Sequence, residues 1–198
     1  MIDTVIFHIG NVLVDFAWED FLREHGAADE DFVKIADATV RSSDWSEFDR
    51  GVLSDDEVID LFVSNDPSMG NKITDIFTDL RGIVTKRDYA IGWINELKSK
   101  GKKVLVLSNF SKSAEHDNPE AMSFLKAVDG GILSYKDKVI KPDPAIYKLL
   151  IERYGLNPQN CVFIDDTQKN LDAAEKFGIN TILFTEIGQV REKLADIL

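Results

Sequence analysis

Hydrophobic positions follow two rhythms along this chain of 198 residues. Short unbroken apolar runs, rich in β-branched and aromatic side chains, occur at Thr4-Val5-Ile6-Phe7, Lys103-Val104-Leu105-Val106-Leu107, Cys161-Val162-Phe163-Ile164 and Asn180-Thr181-Ile182-Leu183-Phe184. Gly131-Ile132-Leu133-Ser134-Tyr135 is a weaker run of the same kind. Runs of this length without polar alternation suit strands buried on both faces, as in the middle of a parallel sheet. Between them the apolar spacing is helical. Tyr89, Ile91, Trp93, Ile94 and Leu97 share one face; residues 119–128, 143–154, the segment ending at Phe177-Gly178 and the tail from Ile187 also read as helices. Pro144 sits in a first turn and Gly155 just past a last one, where each is tolerated. Strands alternating with helices predict a parallel α/β sheet with right-handed crossovers.

From residue 16 to about 85 this alternation stops. Residues 17–25 and 29–40, the stretch opened by Ser54-Asp55-Asp56-Glu57, and the stretch carrying Ile73, Ile76, Phe77 and Leu80 all read as helices, with no evident strand. Ser54 is the expected N-cap, with acidic residues in its first turn. The expectation is a sheet domain of residues 1–15 and 86–198 interrupted by a helical subdomain of residues 16–85. Trp18, Phe21, Phe32 and Trp93 are expected core residues, and Asp15 falls at the hinge.

Charge narrows the partners. A net charge of -12 repels nucleic acid and anionic membranes, so neither is expected to bind. An anionic ligand would need local basic residues or a metal ion. The single cysteine, Cys161, excludes an intrachain disulfide. With no basic-then-apolar leader and no run of membrane-spanning length, it points to a cytoplasmic protein.

Polar residues stand directly after three of the buried runs: His8 with Gly10-Asn11, Ser108-Asn109, and Asp165-Asp166; Lys141-Pro142-Asp143 precedes a helix. Ligands of open α/β sheets bind outside the carboxyl ends of the strands, so one edge should gather all four groups. A hydroxyl, a lysine and two adjacent carboxylates suit a phosphate held beside a divalent ion such as magnesium. His25 and His116 carry no ligand spacing.

These motifs, in this order and across nearly the whole chain, resemble the haloacid dehalogenase-like hydrolases, in particular a sugar-phosphate phosphatase branch whose first motif reads Asp-x-Gly-Asn-Val. The matching pieces are Ile6 through Asp15, Val106-Leu107-Ser108-Asn109, Lys141-Pro142-Asp143-Pro144-Ala145-Ile146-Tyr147, and Phe163-Ile164-Asp165-Asp166 with Asn170. The resemblance implies a Rossmann-like core with a helical cap, and Phe48-Asp49-Arg50-Gly51-Val52-Leu53-Ser54 is similar to a cap segment reading Arg-Gly-x-Ile-Ser. By position it implies a magnesium-dependent phosphomonoesterase of a small phosphorylated metabolite. Position 8 would be the nucleophile. Ser108 and Asn109 would hold the phosphate and Lys141 would neutralise it. Asp165, Asp166 and the Gly10 carbonyl would bind the metal. Trp45, Glu47 and Arg50 are candidates for lining the cap mouth and choosing the substrate.

The departure falls on the nucleophile, which is His8 instead of aspartate. The wider family's general acid two positions later is absent too, because Gly10 stands there, but glycine at that place is usual for this branch. An imidazole cannot form the aspartyl-phosphate and is a poor magnesium ligand. Two nearby carboxylates would raise its pKa, so an imidazolium paired to Asp165 or Asp166, partly replacing the metal's charge, is expected. Weak or absent turnover follows, and a non-catalytic phosphate-binding or regulatory protein is the alternative. A receiver-type signalling domain is disfavoured because the acidic pair comes last in the chain.

Overall fold

A computed structural model describes all 198 residues. It contains seven strands: β1 Thr4–Phe7, β2 Val14–Phe16, β3 Val84–Lys86, β4 Lys103–Ser108, β5 Gly130–Leu133, β6 Cys161–Asp165 and β7 Asn180–Leu183. Five of them form one parallel sheet in the order β5-β4-β1-β6-β7. β1 is central because its four residues are buried on both faces. Val5 and Phe7 point into one apolar cluster and Ile6 into another, as the two-residue period of a strand requires.

Helices cover both faces. The helices are α1 Trp18–Glu24, α2 Asp29–Ala38, α3 Trp45–Arg50, α4 Asp55–Asn65, α5 Gly70–Phe77, α6 Tyr89–Ser99, α7 Lys112–Asp117, α8 Ser134–Asp137, α9 Pro144–Tyr154, α10 Gln168–Glu175 and α11 Ile187–Ile197. Trp93 and Leu97 of α6 and Val190 and Leu194 of α11 pack on the Phe7 side; Ile146, Tyr147 and Leu150 of α9 and Leu171 of α10 pack on the Ile6 side. None of these helices is long and apolar enough to cross a membrane.

Helices α1 to α5 lie in the chain between β2 and β3. Their core is continuous with the Phe7 face of the sheet, through Phe21, Phe48, Phe62 and Phe77. The insert is built on aromatics: Trp45 stacks on Phe62 at 6.1 Å, and Phe62 meets Phe77 edge-on at 5.4 Å. Ser54 caps α4, and Glu57 returns the bond to the Ser54 backbone.

Three expectations need correction. The junction of insert and sheet carries strands after all: β2 and β3 pair antiparallel, with Asp15 opposite Thr85. Three-residue strands leave too little periodicity to read. Arg87 fixes this ribbon, bonding Asp15 at 2.7 Å and the Asn11 carbonyl at 2.6 Å, so Asp15 is an ion-pair partner at the hinge. The helix expected over 119–128 is only a 3-10 segment, Ala121–Lys126. The α-helix lies upstream as α7, opened by Ser111, whose hydroxyl accepts from Ala114 N at 3.2 Å. Its polar sequence gave no apolar stripe to find. Last, α3 has six residues and too few turns to show a period.

The β4–β5 contact admits no side chain at residue 131. Gly131 has φ +152°, and a Cβ there would come within 2.3 Å of the Val106 carbonyl oxygen. Gly131→Ala is expected to cost more than about 2 kcal/mol through strain and overpacking, measured by denaturant unfolding.

Candidate active site

The register of the sheet places the site. Phe7 pairs with Val106 on one side and Ile164 on the other. One step further, His8 N donates to the Ile164 carbonyl at 2.8 Å. The imidazole therefore emerges at the carboxyl edge between Ser108, the last residue of β4, and Asp165, the last of β6. The strand order reverses about β1, the place where such sheets leave a crevice.

Lys141 enters this crevice from the loop before α9. Its Nζ lies 2.5 Å from Asp165 Oδ2 and 3.0 Å from His8 Nδ1. Neither the Lys141 nor the Asp165 side chain is exposed. Asn109 fixes the lysine backbone twice: its Nδ2 donates to Lys141 O at 3.0 Å, and its Oδ1 accepts from Lys141 N at 2.7 Å. The other oxygen of Asp165 accepts from Thr167 N at 2.8 Å and from Asn170 Nδ2 at 3.1 Å. Burial works to raise the Asp165 pKa, but Lys141, His8 and Asn170 together hold it below the usual carboxylate value. Burial, opposed by Asp165 and Asp166, leaves the Lys141 pKa lowered.

His8 is neutral, which overturns the expected imidazolium. Burial pushes its pKa down and the Lys141 ammonium adds to that; Asp165 and Asp166 pull upward and lose, leaving it at about 4. The ring tautomer follows from the neighbours. An ammonium can only donate, so Nδ1 accepts from Lys141 and the ring proton sits on Nε2. Nε2 faces Asp166 Oδ1 at 3.8 Å. The Ser108 hydroxyl, 3.0 Å from the same Nδ1, has the Asn109 carbonyl at 3.2 Å as its other partner.

A cavity of about 370 Å³ opens over this edge. Core residues His8, Gly10, Asn11, Asn109, Lys141, Asp166, Thr167 and Lys169 line one end; Trp45 and Asp49 of α3 look in from the insert. Of the residues singled out from sequence, His8, Gly10, Asn109, Lys141, Asp166 and Trp45 are brought together. Ser108 and Asp165 lie beneath the cavity floor, fully buried and outside its lining. Glu47 and Arg50 do not line it; they pair with each other at 3.2 Å. Asp49, between them, is the insert carboxyl that does. Its signal in the sequence was only the neighbouring Arg50-Gly51. Asn11, beside Gly10, also enters the site: its Nδ2 donates to Asp166 Oδ2 at 3.0 Å. His25 and His116 are exposed and remote.

The donors present do not fit a resident magnesium ion. Magnesium asks for hard oxygens in a near-octahedral shell. Both Asp165 oxygens are taken, one by an ammonium, and position 8 offers an imidazole N–H. No three His, Cys, Asp or Glu side chains converge as a ligand group. Asp166 and the buried Asn170 Oδ1, which lacks a hydrogen-bond partner, remain as oxygens for a water or a ligand donor.

A protein-family model of haloacid dehalogenase-like hydrolases matches residues 2–178. Phosphatase MT3486 of Mycobacterium tuberculosis is 26% identical over 209 aligned positions, covering 96% of this chain and 91% of that one. An (S)-2-haloacid dehalogenase 4A of Burkholderia cepacia is 31% identical over 99 residues, half of this chain but only 43% of the dehalogenase. Among solved structures, the HAD family enzyme bt-2542 of Bacteroides thetaiotaomicron, in complex with magnesium and inorganic phosphate, superposes with a TM-score of 0.70. That match is 20% identical and covers 93% of this chain and 95% of the other, a likeness of fold.

Two outcomes are expected from the geometry. NMR of the His8 ring should show it neutral at pH 7, with a midpoint near 4. Since the folded value lies below the ordinary 6.5, this group stabilises the fold above about pH 6.5, and that stability is lost as pH falls toward 4, on the order of 3 kcal/mol. A midpoint at or above 6.5 would contradict the Lys141 contact. Lys141→Ala leaves Asp165 buried without a counter-charge and should cost roughly 3–5 kcal/mol in denaturant unfolding.

Proposed function

Because the chain belongs to the haloacid dehalogenase-like hydrolases, we propose that its cavity binds the phosphoryl group of a small phosphorylated metabolite and that His8 leaves turnover far slower than an aspartate would. The observation that carries this reading is the Lys141–His8 contact at 3.0 Å. It commits the one imidazole lone pair to a buried ammonium. The nitrogen facing the cavity bears a proton, so it can donate to a phosphate oxygen but cannot attack phosphorus. Lys141 supplies positive charge, and the Asn109 backbone amide is a donor in the same lining. Ser108 packs below His8, 3.0 Å from its Nδ1. Trp45 offers the organic part of the ligand an aromatic face.

Magnesium has a smaller part in this reading than in the aspartate-bearing pattern. Asp166 and the Gly10 carbonyl are the remaining anchors, and they leave it weakly held. The alternative, a binding or regulatory protein with no turnover, uses the same pocket and is favoured by the same imidazole.

The test is a phosphomonoester panel assayed with His8→Asp beside the natural chain. The variant is expected to gain at least about 100-fold in rate, with magnesium dependence, while the natural chain stays near background. Phosphate affinity of the natural chain, by calorimetry, should change less than about 3-fold between chelator and millimolar magnesium. Equal activity in both chains would refute the assignment of position 8; inactivity in both, with phosphate still bound, selects the binding protein.

A further inference from the structure

Asp49 is the ionisable side chain of the insert that lines the cavity; it is partly exposed there, and no protein group bonds its carboxyl. Its backbone, in contrast, is held firmly. Ser134 Oγ donates to the Asp49 carbonyl at 2.6 Å and accepts from Phe110 N at 2.8 Å. One buried hydroxyl thus ties α3 to the loop that follows β4. Two residues on, Gly51 turns with φ +64° against Tyr135, where a Cβ would come within 2.8 Å of the Tyr135 side chain, and Lys138 bonds the Gly51 carbonyl. The helix is seated on the core by contacts that a larger residue at 51 would break.

The core lacks what Asp49 could bring. A Cβ built at residue 10 would lie 3.5 Å from His8 Nε2, so position 10 faces the same end of the cavity, yet glycine supplies no acid there. A carboxyl that faces a cavity and has no partner in the protein is free to bond a ligand there.

We propose that Asp49 is the acid–base group of this pocket, carried in by the insert in place of the carboxyl missing at Gly10, and that it meets the ester oxygen joining the phosphoryl group to the rest of the ligand. This rests on the phosphate-ester reading above. In the natural chain the protonated carboxyl donates a hydrogen bond to that oxygen. With an attacking carboxylate at position 8, the phosphorus–ester oxygen bond would break, and the Asp49 proton would pass to the departing alkoxide as a new oxygen–phosphorus bond forms. Desolvation between α3 and the core raises the Asp49 pKa to about 7, against the pull of Lys141, so the proton is available near neutral pH. The other charged or titratable groups facing the cavity are His8, Lys141, Asp166 and Lys169, all from the core.

Two measurements test it. The first uses the natural chain and sulfate, whose charge is constant between pH 5.5 and 8.5. Ionising Asp49 should weaken sulfate binding as pH rises through 7, by about 5-fold or more, and Asp49→Asn should flatten that profile. The second compares leaving groups in the His8→Asp background. Adding Asp49→Asn should cut kcat for an alkyl phosphate about 100-fold, since its alkoxide needs a proton. It should cut kcat for p-nitrophenyl phosphate by less than about 5-fold, because that phenolate leaves unaided. Equal losses on both esters, or sulfate profiles that superimpose, would overturn the role of Asp49 and leave the phosphate reading standing. No sulfate or phosphate binding by the natural chain would overturn both. If the His8→Asp chain is inactive, the sulfate profile alone decides.

Discussion

The buried ammonium of Lys141 is the contact on which the site depends. It satisfies Asp165 at 2.5 Å and His8 at 3.0 Å from one position, with no water reaching either the lysine or the aspartate side chain. A buried ion pair is stable only when the remaining hydrogen-bonding valences are also met. Here Thr167 and Asn170 complete Asp165, and Asn109 pins the lysine backbone, while Asn170 Oδ1 alone among buried side-chain atoms is left without a partner. The sheet supplies the precision, because His8, Ser108 and Asp165 extend three adjacent parallel strands whose register is fixed by packing on both faces.

Most of the sheet was legible because β1, β4 and β6 are unbroken apolar runs, a pattern few other structures produce. The edge of polar residues after them was legible for the same reason, since it needs only the strand ends. Illegible parts share a cause. The β2–β3 ribbon, α3 and α7 are too short or too polar to show a period, and their positions are set by tertiary contacts such as Arg87 with Asp15 and Ser134 with Asp49. Within the site, residue types were readable and depth was not. Ser108 and Lys141 look accessible in sequence, yet both side chains are buried, Ser108 below the floor and Lys141 against Asp165 at the cavity's edge. At residues 47 to 50 a helical turn decides the matter: Glu47 and Arg50, three apart, pair side by side, and Asp49 is turned inward.

The protonation of His8 shows why counting neighbours was insufficient. Two carboxylates near an imidazole favour its charged form, but the nearest charge is the ammonium on Nδ1, and burial penalises a second cation beside it. Asp165 is already spent on Lys141, and Asp166 is partly solvated and bonded to Asn11. The negative charge that would have held a proton on the ring is therefore committed elsewhere.

Charge accounting then links position 8 to the metal question. With a neutral imidazole, the buried floor consists of one ammonium and one carboxylate and is balanced without any added ion. A carboxylate at position 8 would place a second negative charge against Lys141, within reach of Asp165 and Asp166, and the surplus would draw a divalent cation into the site. On the proposed reading, an imidazole at position 8 thus carries neither the nucleophile nor the electrostatic demand for magnesium. What remains is a preorganised crevice whose lining mixes Lys141 and Lys169 with the carboxyls of Asp49 and Asp166, in a protein with a net charge of -12. On the reading proposed above, such a crevice would hold an anion through short-range contacts, so affinity would rest on the alignment of the His8 N–H and the Asn109 amide more than on any long-range field.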